Sequence, residues 1–537
     1  MGLILSLLLL FSGLIRGYAV SSLPPELFGD EVDVGYQAYS LLHTGRDLYG
    51  QLFPTYIHSL SEWRTPLLMY YTVPAIFIFN NTEWGVRGPE VVLGTLSPVI
   101  LFLLVYQLSH KRSLSLISSL ALSLMPWHIL YSRAAFEAVL LLDFELLGTL
   151  LFIRRQYFMA GLFFILTPYI YSTATVFTPL WLVCLGVFYK PKIKLVSLLP
   201  VVLILPFVIS LFSGHAAERF GKVGLFNNRE ITDEIFNFRR ENPGFWERWF
   251  SNKPVVIAQK IYTNYLSAFS PEFLFIRGDP TARQSLQYIG ELLPVWAPFL
   301  ILGLVFMIKR RQYLWLSWLL LAPVPAALTY DGAYHATRLF MMIPPLSVAV
   351  GTGIITSVNF FRRPVKIFVY LIIWLVISYQ FVQAANYYLN HYSQRTWIWW
   401  HVGFKTAMTQ VARLAPLYPR VFINNTYEPS LIRFLFYSRY PPAEFQRNFT
   451  LDQPKSGIAP DYYGFFLAPK YYFGNFSLPP GKSIPDVLIP GDLYVVSQRD
   501  NVAGDWDWRK NPPGGVKVLF TSTNPLNQPI FYLVTKS

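Results

Sequence analysis

The sequence predicts a polytopic α-helical membrane protein with a small external α/β domain at its C-terminal end, and three observations carry that prediction. Of 537 residues, 53% are hydrophobic, 17% aromatic and only 14% charged, whereas a soluble domain carries roughly 25% charged residues. About eleven apolar segments suit a hydrocarbon core that takes roughly 17 to 25 helical residues to cross. Beyond residue 383 the chain changes to short strand-like runs punctuated by Pro and Gly. Disorder is excluded because a disordered chain is poor in aromatics and rich in charge.

The apolar segments are 1-18, 91-109, 113-130, 135-153, 157-172, 174-189, 195-213, 292-308, 312-329, 338-359 and 365-383. The first lacks a basic n-region and an obvious small-residue cleavage site, so it is expected to be a retained anchor. Short polar breaks between the others hold Lys111-Arg112, Arg154-Arg155, Lys190/Lys192/Lys194, Lys309-Arg310-Arg311 and Arg362-Arg363/Lys366, thirteen cations with no acidic residue. If the spans alternate, all five breaks face one side. The positive-inside rule makes that side the cytoplasm, with the N-terminus inside and the C-terminal domain extracytoplasmic in a multi-pass cell-membrane protein. The net charge of +14 is then largely an orientation signal, and no nucleic-acid partner is expected.

Residues 1-383 are expected to form the membrane domain, with external loops 19-90 and 214-291, and residues 384-537 the external domain. The stretch from Pro66 to Phe79 is short and interrupted by Pro74, which favours an interfacial or re-entrant helix. In the external domain Val421–Ile423, Tyr494–Val496, Val516–Phe520 and Phe531–Val534 read as strands, and Glu428–Tyr437 as a helix. Sequons at Asn80, Asn424, Asn448 and Asn475 all fall on the external side. One cysteine, Cys184, excludes an internal disulfide and a cysteine metal site.

Phe28-Gly29-Asp30-Glu31-Val32-Asp33 opens the first external loop. An acidic pair at a membrane surface suits a general base that deprotonates an acceptor hydroxyl. It equally suits a helix start, with Asp30 as N-cap and Glu31 and Asp33 in the first turn. Arg133 and Glu137 are four apart at the expected external end of the fourth span, a spacing that places them on one helix face as an ion pair. Asp143 and Glu145 lie deeper in that span with no complementary basic residue evident at their depth, which favours neutral, hydrogen-bonded packing carboxyls or, in a transporter, a proton relay. Phosphate-loop, His-Glu-x-x-His and Gly-x-Ser-x-Gly motifs are absent.

Asp30-Glu31, then Thr44-Gly45-Arg46-Asp47-Leu48-Tyr49-Gly50, then Glu62-Trp63-Arg64-Thr65-Pro66-Leu67 come in the order of the first external loop of one enzyme group. Together they resemble the protein O-mannosyltransferase and aminoarabinose transferase superfamily, GT-C-type glycosyltransferases that use polyprenyl-phosphate sugars. The resemblance is strongest over residues 1 to about 180, looser to about 360, and only general in the C-terminal domain. It implies a GT-C-like fold, Asp30 as catalytic base with Glu31 in support, and Arg64 on the lipid phosphate where Lys is common. Without it, Arg64 reads as a snorkelling interfacial cation. Tyr131–Glu137 resembles the family's second external motif, which brings Arg133 and Glu137 toward the substrate. Tyr330–Arg338 resembles its His-x-x-Arg segment, giving His335 and Arg338 to the carrier phosphate. Ser270–Arg283 looks like a motif of bacterial relatives, with Arg283 a further candidate.

The resemblance implies sugar transfer from a polyprenyl-phosphate donor to a hydroxyl acceptor on a protein, glycolipid or polysaccharide, on the external face and with inversion, a mannosyltransferase-like hexosyl reaction. No cofactor is expected, since the lipid-linked sugar is a substrate. No metal is expected, because Trp399-Trp400 is followed by His401 rather than by the acidic ligation of an oligosaccharyltransferase. The alternative is a lipid-linked-sugar flippase or other polytopic transporter with Asp143 and Glu145 as coupling carboxyls. A flippase is expected to show duplicated spans, and none are seen.

Overall fold

The computed structural model describes residues 1–59, 63–192, 194–212, 224–226, 228–241, 244–449, 455–459, 462–500 and 507–537. They divide into two compact units. The first comprises Met1–Tyr18, Trp63–Leu68 and Glu90–Asn390, and the second Ala19–Glu62, Met69–Pro89 and His391–Ser537.

The first unit is helical. Helix occurs within every one of the predicted apolar segments. Among the described residues, however, only three helices are long and apolar enough to cross a bilayer by length and composition: Glu83–Ser109, Ala336–Asn359 and Arg363–Asn390. The expected count of about eleven spans is therefore not reached by that measure, because several segments are broken into shorter pieces. Segment 113-130 divides into Arg112–Ser123 and Pro126–Tyr131, since Pro126 cannot donate into a continuing helix. Segment 195-213 begins as the 3-10 turns of Leu195–Ile204, with Pro200 inside them.

Two helices of this unit approach almost to backbone contact. A Cβ added to Gly303 of Ala297–Lys309 would lie 1.8 Å from the Ala349 carbonyl oxygen, and one added to Gly353 of Ile343–Asn359 would lie 1.8 Å from that of Phe299. Where lipid supplies no hydrophobic drive between helices, small residues let dispersion contacts hold them together. Deeper carboxyls also serve packing. Glu145 accepts from Thr178 of the neighbouring helix. Asp143 is buried and, contrary to expectation, has a cation in electrostatic reach: Arg16, from the end of the first helix. Distance in sequence hid that neighbour.

The basic breaks gather at one end of this unit. Lys111, Tyr189, Arg310, Arg311 and Asn359 line a single cavity. Arg154 Nε donates to Gln107 Oε1 at 3.4 Å, and Lys366 Nζ to Asn359 Oδ1 at 3.0 Å.

The second unit is built on a seven-stranded mixed sheet. Its strands are β1 (Val421–Asn424), β2 (Lys455–Ala459), β3 (Tyr462–Leu467), β4 (Tyr471–Phe476), β5 (Leu493–Ser497), β6 (Val516–Thr523) and β7 (Pro529–Lys536), in the order β2-β3-β4-β1-β5-β7-β6. Strand β1 is central and parallel to both neighbours, and all four of its residues are buried, as expected for a strand covered on both faces. Phe422 stacks between Tyr472 and Tyr494 at 4.6 and 4.9 Å. The expected helix from Glu428 starts later, at Leu431, because Pro429 disfavours helical backbone in the residue before it. Helix Gly29–Thr44 packs on Leu431–Tyr437, and Gly35 leaves room for the Phe436 ring.

Candidate functional site

The Gly29–Thr44 helix positions the acidic pair. Its N-cap is Phe28, not the expected Asp30, because Glu31 is the residue that reaches back: the Phe28 amide donates to Glu31 Oε2 at 3.3 Å. Glu31 is fully buried and grips Arg87 through two 2.8 Å contacts, Nε to Oε1 and Nη2 to Oε2. Arg87 also donates to the carbonyls of Val20, Pro24 and Glu26 and lies 5.5 Å from the Trp400 ring centroid. One guanidinium thus satisfies the buried carboxylate and stitches down the loop before the helix. A bidentate, hydrogen-bonded pair is the geometry in which a buried charge is tolerated. Asp30, in the same first turn, is exposed.

A second arginine stands at this turn. The Nη2 of Arg433 lies 3.1 Å from where a Gly29 Cβ would be. Arg433 is buried, with its side chain 4.4 Å from the Phe404 ring centroid, and burial lowers its pKa. It donates to the Pro429 carbonyl and, at 2.7 Å, to His401 Nδ1. That leaves His401 Nε2 to carry the ring proton, 3.5 Å from Glu428 Oε1. Glu26 accepts the amides of Gly403 and Lys405 at 2.8 and 2.5 Å, and burial pushes its pKa up to about 7.

The turn after the helix is structurally explained. Gly45 is the left-handed C-cap at φ 65°. The Asp47 carboxylate accepts the amides of Tyr49 and Gln51 at 3.0 and 2.8 Å, and Gly50 completes the turn at φ 86°. These Gly and Asp positions are a C-cap joined to an Asx turn. Of the next motif, Glu62 lies outside the described residues.

The remaining candidates, Arg64, Arg133, Glu137, Arg283, His335 and Arg338, belong to the first unit. Arg64 is buried in the extended pair Trp63–Arg64, and the adjoining Thr65 hydroxyl bonds the Ile170 carbonyl at 2.7 Å. Arg133 and Glu137 do not share a helix face. Arg133 sits in the turn after Pro126–Tyr131, and Glu137 opens Glu137–Ile153. The Arg133 guanidinium turns to the C-terminal carbonyls of the first helix, Ile15 at 2.9 Å and Arg16 at 2.8 Å, and to the Tyr388 hydroxyl at 3.2 Å. A cation is favoured at a helix C-terminus.

Asp279 brings Arg283 to the turn that carries His335 and Arg338. Its Oδ2 accepts the Ala336 amide at 2.8 Å and its Oδ1 the Thr281 amide at 2.7 Å, with the Arg283 charge nearby. Asp279 therefore ties the 270-291 loop to the His335–Arg338 turn. Burial raises its pKa to about 6, and burial together with Asp279 drives Glu291 well above the ordinary carboxyl value. From the other side, Ser267 Oγ accepts the Tyr334 amide at 3.3 Å, and Asn264 bonds the Thr329 carbonyl. Burial and then Arg338 lower His335 to about 3, so its imidazole is neutral, with Nδ1 enclosed and unpartnered among the described residues. Arg338 is clamped by both Asp331 oxygens and by Thr329 Oγ1 at 2.7 Å. Burial pushes Asp331 up, but its bond to Arg338 and that charge outweigh it and hold its pKa low.

No family model matches the chain. No curated protein matches it either. Solved structures do resemble it. ArnT from Cupriavidus metallidurans bound to undecaprenyl phosphate aligns over 99% of this chain and 97% of its own, at 13% identity and a TM-score of 0.48. Its apo form covers the same shares, at 13% identity and 0.46. The oligosaccharyltransferase of Archaeoglobus fulgidus, in a complex with zinc and sulfate, aligns over 81% of this chain and 61% of its own, at 14% identity and 0.49. Both proteins are GT-C glycosyltransferases.

Sequence reasoning missed Arg87, Arg433 and His401. Arg87 partners Glu31 across 56 residues, and no spacing rule reaches that far. Trp400-His401 drew attention only for lacking an acidic residue. Among the described residues no group of three or more His, Cys, Asp and Glu could hold a metal ion.

Proposed function

We propose that the chain is an integral-membrane glycosyltransferase that moves a sugar, mannose or a related hexose, from a polyprenyl-phosphate carrier to a hydroxyl acceptor. One observation carries the reading: Glu31 is consumed by Arg87 inside the protein, while Asp30, one residue earlier, is exposed in the same rigid turn. A fixed, accessible carboxylate beside a buried structural one is the arrangement a general base needs. The three ordered sequence motifs supply the carrier.

In the reaction Asp30 takes the acceptor hydroxyl proton and the acceptor oxygen bonds to the anomeric carbon. The bond from that carbon to the phosphate oxygen breaks, the lipid phosphate leaves with the electron pair, and the configuration inverts. Arg64, Arg338 and Arg283 carry the charge suited to the departing phosphate, and neutral His335 offers a hydrogen bond. Arg133 holds the end of the first helix, and Glu137 is a further substrate contact. The basic ends of the first unit face the cytoplasm on this reading, and the reaction takes place on the external side.

Reconstituted vesicles given a labelled polyprenyl-phosphate hexose and an acceptor test the assignment. Asp30→Asn is expected to cut turnover about 100-fold or more, the lower range for losing a general base. Transfer by Asp30→Asn at the wild-type rate removes Asp30 from the mechanism.

A further inference from the structure

At the end of the first unit where the basic breaks gather, a cavity of about 700 Å³ opens among the helix ends. Its size is that of a small-molecule site. Helix Ala336–Asn359 runs from the His335 turn toward it, and 24 residues of helix span about 36 Å, so this cavity is remote from the residues assigned to sugar transfer.

Four features mark an anion site. Lys111, Arg310 and Arg311 line it from two separate breaks, with no carboxylate among the described lining residues. Helices Arg112–Ser123 and Tyr313–Leu321 both begin at it, and neither N-terminus has a side-chain cap, so first-turn amides remain for an anion. Among the described residues, the Thr352 hydroxyl is buried in the wall with no hydrogen-bond partner, in a residue 3% exposed, and Gln312 Oε1 is likewise enclosed and unpartnered. Such groups are costly unless something completes them. The wall then turns apolar through Leu108, Ile355 and Trp315, which suits acyl chains continuing from a polar head.

We propose that this cavity binds the phosphorylated headgroup of an anionic membrane phospholipid. The phosphate lies between Arg310, Arg311 and Lys111 and accepts from the Thr352 hydroxyl, while Gln312 Oε1 accepts from a headgroup hydroxyl. A basic pocket between helix ends at the positively flanked membrane face is where such lipids are held. The site stands independently of the transferase reading.

Full-length protein in neutral detergent is titrated with phosphatidylglycerol, phosphatidylcholine and soluble glycerol 1-phosphate, and bound lipid is read by native mass spectrometry and thermal shift. Phosphatidylglycerol is expected to bind and stabilise, and phosphatidylcholine not to. Arg310→Gln with Arg311→Gln removes two exposed charges and is expected to weaken phosphatidylglycerol roughly thirtyfold. Thr352→Val keeps shape and charge and is expected to cost about tenfold. Undiminished binding by either folded variant overturns the proposal. So does glycerol 1-phosphate binding as tightly as the lipid, which would assign the cavity to a soluble phosphate.

Discussion

The acidic turn of the second unit and the basic turn of the first handle their charges in opposite ways. At the Gly29–Thr44 helix, Glu31 is buried against Arg87 and Asp30 is left at the surface. At the His335–Arg338 turn the candidate cation is the enclosed member, its side chain 11% exposed, and its counter-ion Asp331 is the open one at 57%. Adjacent motif residues therefore do different work. One carboxylate builds the turn and its neighbour stands at the surface, whereas the arginine is enclosed behind an exposed acid that pairs with it.

The largest effect expected from this contrast is on folding. Arg87→Ala leaves Glu31 buried with no counter-charge and frees three backbone carbonyls, so a loss of about 3 to 5 kcal/mol is expected. Thermal unfolding of purified protein should show it, while Asp30→Asn should leave the unfolding temperature unchanged. If the two variants destabilise alike, Asp30 is part of the scaffold and the division within the pair disappears.

The opposing turn gives a smaller and functional effect. Asp331→Asn removes the exposed counter-ion of Arg338 while leaving an amide able to accept its hydrogen bond. A surface ion pair contributes about 1 kcal/mol at most, so the KM for the polyprenyl-phosphate sugar is expected to fall by up to about fivefold with kcat little changed. A KM that rises instead would make Arg338 a structural cation like Arg133.

Part of this was legible from sequence because it is local. The helix after Phe28 follows from its acidic first turn and from Gly45 at its end, and β1, β5, β6 and β7 follow from short β-branched runs. Strands β3 and β4 did not announce themselves. Tyr462–Leu467 and Tyr471–Phe476 are rich in Tyr, Phe and Gly, and their glycines read as punctuation, although Gly464 and Gly474 face each other where a Cβ would strike the opposite backbone. The site was half legible. Asp30 and Glu31 were visible as a pair, but their different surroundings depend on Arg87 and Arg433, distant residues that only folding brings to the turn.

The most local of the predicted effects separates the two units by pH. Asp279 in the first is raised to about 6 from 3.8, and Glu26 in the second to about 7 from 4.5. A raised folded pKa means that the folded state keeps its proton where the unfolded chain has lost it. The associated stability is full below the unfolded value and is lost as pH rises through the folded one. Two to three pKa units correspond to about 3 to 4 kcal/mol at most, the net of burial and of the donating amides, which favour ionisation. Amide hydrogen exchange, corrected for its intrinsic pH dependence, should report the loss at Ala336 between about pH 4 and 6, levelling off above. At Gly403 and Lys405 the loss should continue to about pH 7. Asp279→Asn should flatten the first profile and leave the second untouched. One common pH profile at both places would mean that the two carboxyls titrate with a single cooperative event rather than each in its own unit.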